Sequence, residues 1–128
     1  MDNPIRVLVV DDEKDFLFTM DYWLRTKGYE VMTAANGQEA IEIISKKPVD
    51  IIFLDMHMPV MDGVETLKKI REINKDTPVI IITAYAADEK RIEAEKYGVS
   101  GLFYKDKDFT ESATLIETVL RRHKGLQQ

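Results

Sequence analysis

The stretch Asp50–Gly63, DIIFLDMHMPVMDG, decides the fold. Its first half is nearly continuous in aliphatic and aromatic residues instead of alternating with polar ones. That pattern belongs to a strand covered on both faces, as in a parallel sheet between helices. The run then stops on a single carboxylate, Asp55. A strand buried on both faces tolerates a charge at its last residue only where something compensates it. A proline-bearing, methionine-rich turn follows, and no helical pattern begins until Gly63.

Working outward, four further short apolar runs recur at fairly even intervals, IRVLVV (Ile5–Val10), YEVMTA (Tyr29–Ala34), PVIIIT (Pro78–Thr83) and GLFYK (Gly101–Lys105), and three of the five are nearly continuous instead of alternating. Helical periods lie between them. Phe16, Leu17, Met20, Trp23 and Leu24 mark one face of a first helix, with Gly28 as its stop. Ala40, Ile41 and Ile44 follow Asn36-Gly37, and Pro48 closes that helix. Val64, Leu67 and Ile70 mark a third, and Ile92 with Tyr97 a weaker fourth ended by Gly98. Leu115, Ile116, Val119 and Leu120 mark the last, whose final RRHK turn suits the negative end of a helix dipole. Strand–helix alternation of this kind implies right-handed βαβ units and a doubly wound α/β sheet. Only the tail GLQQ, residues 125–128, is expected to lack structure, as the stub of a linker.

Composition narrows the function classes. A chain of 128 residues makes one domain and buries about two-thirds of the surface its unfolded form exposes. Without cysteine, neither disulfides nor thiolate metal sites can contribute. The N-terminus lacks the basic segment of a signal peptide, and no apolar run approaches the ~18–20 residues of a membrane span. The net charge of −5 argues against non-specific binding to nucleic acid. The expectation is a cytoplasmic domain with neither a membrane nor a nucleic acid as its direct partner.

In an open parallel sheet, ligands bind beyond the carboxyl ends of the strands. The first strand ends in Asp11-Asp12, the third in Asp55, the fourth in Thr83-Ala84 and the fifth in Lys105, while the second ends blandly in Ala34-Ala35. Clustered carboxylates raise one another's pKa unless a cation joins them. Hard oxygen donors without thiolate or imidazole ligands favour Mg²⁺, which shares its shell with water and phosphate oxygens. A carboxylate can also attack phosphorus and form an aspartyl phosphate. A metal, an ammonium and a hydroxyl would then balance the charge on the equatorial oxygens. Asp55 is the natural nucleophile, alone on the middle strand between the acid pair and the lysine.

These pieces also carry a resemblance. VVDDE, FLDMHMPVMDG, IITAY and GLFYK, in order at successive strand ends, resemble the receiver domain of bacterial two-component response regulators, over residues Ile5 to Leu120. The resemblance implies a flavodoxin-like (βα)5 fold with strand order 2-1-3-4-5, and a receiver domain over residues 1–124. It implies that Asp55 takes a phosphoryl group from a sensor histidine kinase or phosphotransfer protein. Asp11, Asp12 and Asp55 would hold Mg²⁺ together with the backbone carbonyl of His57. Thr83 would move to hydrogen-bond the phosphoryl group, and Lys105 would pair with a phosphoryl oxygen, and with Asp55 before phosphorylation. Pro59 and Gly63 match the shaped loop after the acceptor. The fourth helix, fifth strand and fifth helix would form the surface that meets effectors or a second copy in a homodimer. Such a domain is a switch, catalysing only its own phosphorylation and dephosphorylation.

The sequence departs from the family in two places. Asp106 follows Lys105 where the family has a cis proline, and a trans bond is expected, since a non-proline cis peptide costs roughly 3 kcal/mol. Leu102 stands where the family places its aromatic switch residue, three before the lysine, with Phe103 and Tyr104 out of step. Output is therefore expected to depend more on the loop after Thr83.

Blander readings compete at several positions. Asp11-Asp12 could serve only as a helix cap, Thr83 as a strand residue, and Lys105 as a solvated charge. Met56, Met58 and Met61 could bind a soft metal, though packing is the usual role of methionine at such a junction. His57 is expected to tune rates through its side chain without being required. The charged segment ADEKRIEAEKYG is expected to be a solvated face. The rival function is an aspartate-nucleophile phosphatase, which needs a second acid two residues after the nucleophile, where this sequence has His57. A nucleotide- or flavin-binding module is opposed by the lack of a glycine-rich loop at any strand end. A receiver-like domain that only binds proteins would have lost the acids retained here.

Overall fold

The computed structural model describes residues 4–106 and 108–127. Strands and helices alternate from the first described strand to the last helix. In order they are β1 (Arg6–Val10), α1 (Lys14–Thr26), β2 (Glu30–Ala34), α2 (Gly37–Lys46) and β3 (Ile51–Asp55). Then come α3 (Gly63–Ile73), β4 (Val79–Thr83), α4 (Glu89–Ala94), β5 (Gly101–Tyr104) and α5 (Thr110–Gln127). The strands pair in parallel in the order β2-β1-β3-β4-β5. This is the doubly wound flavodoxin-like sheet that the sequence pattern and the resemblance together imply.

The period-two alternation of the strands explains the two layers. Val7, Val9, Ile51, Phe53, Ile80, Ile82 and Phe103 pack against Phe16, Met20 and Leu24 of α1 and Ile116 and Val119 of α5. Leu8, Val10, Ile52, Leu54, Val79 and Ile81 pack on the other face against Ala40, Val64, Leu67, Ile70 and Ala94 of α2, α3 and α4. Every residue of β3 and β4 is buried, as their unbroken apolar character demands.

Local signals set the helix starts near the site. Asn36 Oδ1 accepts from the Glu39 N–H at 2.9 Å, and Glu39 Oε1 accepts in return from the Ala35 N–H at 2.8 Å. Asp62 Oδ1 caps α3 by accepting from the Glu65 N–H at 2.9 Å. Gly63 opens α3, and a Cβ there would collide with the Asp55 carbonyl oxygen and Met56 Cα. Only glycine lets the helix start so close to the end of β3.

Two expectations are corrected. Ile92 is exposed, and α4 is instead anchored by Ala94 before the chain tightens into a 3-10 turn at Glu95–Tyr97 and leaves through Gly98 at φ +86°. A six-residue helix has too few turns to present a broad apolar stripe, so one small residue in close contact does the packing. At the other end, α5 runs on through Gln127, so residues 125–127 continue the helix instead of lacking structure.

The loop between β3 and α3 holds the one non-glycine positive φ among the described residues, Val60 at 69°, fully exposed. A β-branched residue is strained there, and no packing recovers the cost. Val60→Gly is therefore expected to stabilise the domain by roughly 1 kcal/mol, less than the full relief because glycine also loosens the unfolded chain. A lower urea midpoint for the variant would contradict the strain.

Candidate functional site

Strand register brings the acids together. Val10 pairs with Leu54, so Asp11 and Asp55 are the next residues along neighbouring strands. Alternation puts Asp11 on the face of Val7 and Val9, and Asp55 on the face of Ile51 and Phe53, which is the same face. Asp11, Asp12 and Asp55 each offer a carboxylate oxygen within 4.8 Å of the others. Asp11 is wholly buried, Asp55 is 5% exposed, and Asp12 opens to solvent. Lys105 follows the parity of Phe103 and arrives on the same side, its ammonium 5.0 Å from the centre of the Phe16 ring.

The hydrogen bonds correct one expectation, the pairing of Lys105 with Asp55. The Lys105 Nζ lies 2.9 Å from Asp11 Oδ2 and 2.5 Å from Glu13 Oε1. Asp55 Oδ1 instead accepts from the His57 N–H at 3.2 Å. Asp11 is the deepest charge: its Oδ1 accepts from the Glu13 N–H at 2.8 Å, and its Oδ2 faces the Lys105 ammonium. The ammonium goes where an uncompensated buried charge would cost most, and Glu13 holds it from the solvent side.

The electrostatics record the crowding. Burial, and then the charge of Asp11, push the Asp55 carboxyl up to about 7, against the pull of the His57 N–H and of Lys105. Burial also raises Asp11 above the usual carboxylate range, despite the Glu13 N–H and Lys105. Burial alone would lower the Lys105 ammonium, but Glu13 and Asp11 outweigh it and raise it. The cluster is therefore short of positive charge. A hard divalent cation suits it, because the side-chain donors are carboxylate oxygens and Asp11 must share its one ammonium with Glu13.

Thr83 stands apart from this group. Asp55 pairs with Ile82, so Thr83 lies one residue further on, with the opposite parity, that of Val79 and Ile81. Its hydroxyl lies 2.9 Å from the Tyr85 carbonyl and 3.4 Å from Asp88 Oδ2, and accepts from the Tyr85 N–H at 3.3 Å. The His57 ring turns the same way, its Nε2 2.5 Å from Asp88 Oδ2. Tyr85 itself is exposed.

Two residues at the site are ones that sequence reasoning passes over. Glu13 could have been suspected as the acid directly after the pair. Asp88 carries an N-cap signal at the head of the charged segment, but a solvated face is the expectation for that segment, and Asp88 is 2% exposed. Met56 and Met58 are buried in the core and the Met61 sulfur lies against Gly37, so all three methionines pack. The Lys105–Asp106 peptide is trans.

A family model for the response regulator receiver domain matches residues 7–117. The chain belongs to that family. It is 35% identical over 117 residues to the transcriptional regulatory protein PrrA of Mycobacterium tuberculosis, covering 91% of this chain and 50% of that protein. The receiver domain thus spans about half the length of that relative. It is 33% identical to sporulation initiation phosphotransferase F of Bacillus subtilis, covering 90% of this chain and 93% of that one. Among solved structures, the chemotaxis protein CheY4 of Vibrio cholerae superposes with a TM-score of 0.87 at 33% identity, covering 91% of this chain and 99% of that one.

The family is one of phosphorylation-linked signalling domains and not of classical enzymes. Leu102 packs against the α2–α4 side of the sheet, while Phe103 is buried on the other, its ring edge-on to Phe53 at 5.9 Å. No helix among the described residues is long and apolar enough to cross a membrane.

Proposed function

We propose that Asp55 accepts a phosphoryl group from a partner histidine kinase or phosphotransfer protein, and that the modified domain presents an altered surface to its effector. The observation that carries this is the convergence of Asp11, Asp12 and Asp55 within 4.8 Å, with Asp11 and Asp55 buried. Asp11, Asp12, Asp55 and the backbone carbonyl of His57 would hold Mg²⁺. Bound there, Mg²⁺ would supply positive charge to the phosphoryl oxygens as charge spreads over them.

The chain's own groups would do the rest. An Asp55 carboxylate oxygen attacks phosphorus, the bond from phosphorus to the donor nitrogen or oxygen breaks, and the donor leaves with the electron pair. Lys105 is already on the rim, and a short swing from Asp11 and Glu13 would bring its ammonium to a phosphoryl oxygen. The Thr83 hydroxyl would donate to another. Hydrolysis of the resulting acyl phosphate returns Asp55 to its starting form. A homodimer or effector contact through α4, β5 and α5 would read out the change.

Incubation with Mg²⁺ and acetyl phosphate tests the proposal. One acid-stable, hydroxylamine-labile phosphoryl group per chain is the expected product, and its absence would end the reading. Steady release of phosphate from many phosphomonoesters would favour the phosphatase instead. That rival is weakened here because His57, in the place of the second acid, commits its Nε2 to Asp88.

A further inference from the structure

Asp88 is a charged side chain, almost wholly buried, and the phosphoryl chemistry above makes no use of it. Its Oδ1 caps α4 by accepting from the Lys90 N–H at 2.9 Å. Its Oδ2 receives the His57 ring at 2.5 Å and lies 3.4 Å from the Thr83 hydroxyl. A carboxylate only accepts, so we assign the hydrogen of that contact to His57 Nε2. His57 is thereby tied at both ends, by its backbone N–H to Asp55 and by its ring to the cap of α4. A parallel tie joins the same two regions, Lys90 Nζ to Asp62 Oδ2 at 2.6 Å.

Thr83 has one hydroxyl hydrogen, and both oxygens within its reach, on Tyr85 and Asp88, belong to the loop leading into α4. It cannot give that hydrogen to a phosphoryl oxygen and keep either partner. We propose that His57 and Asp88 form a latch that positions Thr83 and the start of α4 in the resting arrangement. A phosphoryl group on Asp55 would then act by drawing Thr83 off the latch. The inference rests on the phosphoacceptor reading of Asp55. It also supplies a route from the site to α4 that needs no aromatic residue at Leu102. His57 and Asp88 are positioning residues, since they act through Thr83.

An interaction made only in the resting state weakens every ligand of the other state by the same factor. The probe is beryllofluoride with Mg²⁺, a phosphoryl mimic, titrated by amide NMR. Against wild type, His57→Ala is expected to bind it about 3- to 10-fold more tightly, the value of one such hydrogen bond. His57→Gln, whose side-chain N–H can reach Asp88, should return most of the wild-type affinity. Asp88→Ala removes the oxygen that His57 and Thr83 share and should tighten binding as His57→Ala does. The double variant should gain nothing further, because both changes open one latch.

A merely structural role would leave affinity unchanged or lower it, and either result for His57→Ala overturns the latch. Additive gains in the double variant would overturn it as well. Wild type that fails to bind beryllofluoride removes the acceptor reading and the latch with it, whereas wild type that binds no better and no worse than the variants removes the latch alone.

Discussion

Asp55→Asn is expected to take up no phosphoryl group from acetyl phosphate while folding at least as stably as the native chain. The amide has the shape of the carboxylate, and its Oδ1 can still accept the His57 N–H. It lacks the negative oxygen that attacks phosphorus. The stability follows from the sign of the titration. In the unfolded chain an aspartate titrates near ~3.9, whereas in the folded domain burial and Asp11 push Asp55 up to about 7. The native state therefore holds the proton that the unfolded state has lost, and native stability falls as pH rises from about 4 to about 7. The amide has no such dependence. At pH 8 the variant should be more stable by roughly 1–3 kcal/mol, with the gap closing toward pH 4. Urea denaturation at the two pH values measures this. A phosphoryl group that persists in Asp55→Asn would remove Asp55 as the acceptor.

The second large effect concerns the cation. Mg²⁺ is expected to raise the thermal midpoint of the native domain, by about 2.7 kcal/mol of added stability at one hundred times its dissociation constant. Its apparent affinity should fall below pH 7, because Asp55 must release a proton to bind it. Asp11→Asn should lose at least roughly ten-fold in that affinity, about 1.4 kcal/mol or more, through loss of a carboxylate ligand. Without metal the variant also loses the Asp11–Lys105 ion pair, since an amide nitrogen replaces Oδ2 while Oδ1 still accepts from the Glu13 N–H. The Mg²⁺ response is therefore read as the difference between melts of the same variant with and without the metal. Thermal melts with and without Mg²⁺ check it, and a full Mg²⁺ response in Asp11→Asn would dismiss Asp11 as a ligand.

Both experiments turn on residues that the amino-acid order alone singles out. Asp11, Asp12, Asp55 and Lys105 lie at strand ends that the apolar runs delimit to within a residue, and the parallel topology sends those ends to one rim. The central strands β3 and β4 are legible because burial on both faces leaves unbroken apolar runs. The helix starts are legible because Asn36 and Asp62 cap through their own side chains. Ile92 misleads because a helix of six residues packs through one small contact, and periodicity over so short a span carries little information.

The chain's order and chemistry thus determined the doubly wound sheet, the acid cluster and the proposed place of Asp55 in it, since each follows from local pattern plus the rule that parallel strands end together. Tertiary structure alone decided who holds whom. It set Lys105 on Asp11 and Glu13, buried Asp88 beneath the His57 ring, and turned Thr83 toward α4. Such partnerships depend on strand parity, on which charge lies deepest, and on contacts between residues as far apart in the chain as Asp11 and Lys105. Periodicity places residues on faces, but competition among buried charges for a single ammonium or hydroxyl is resolved only when the faces meet.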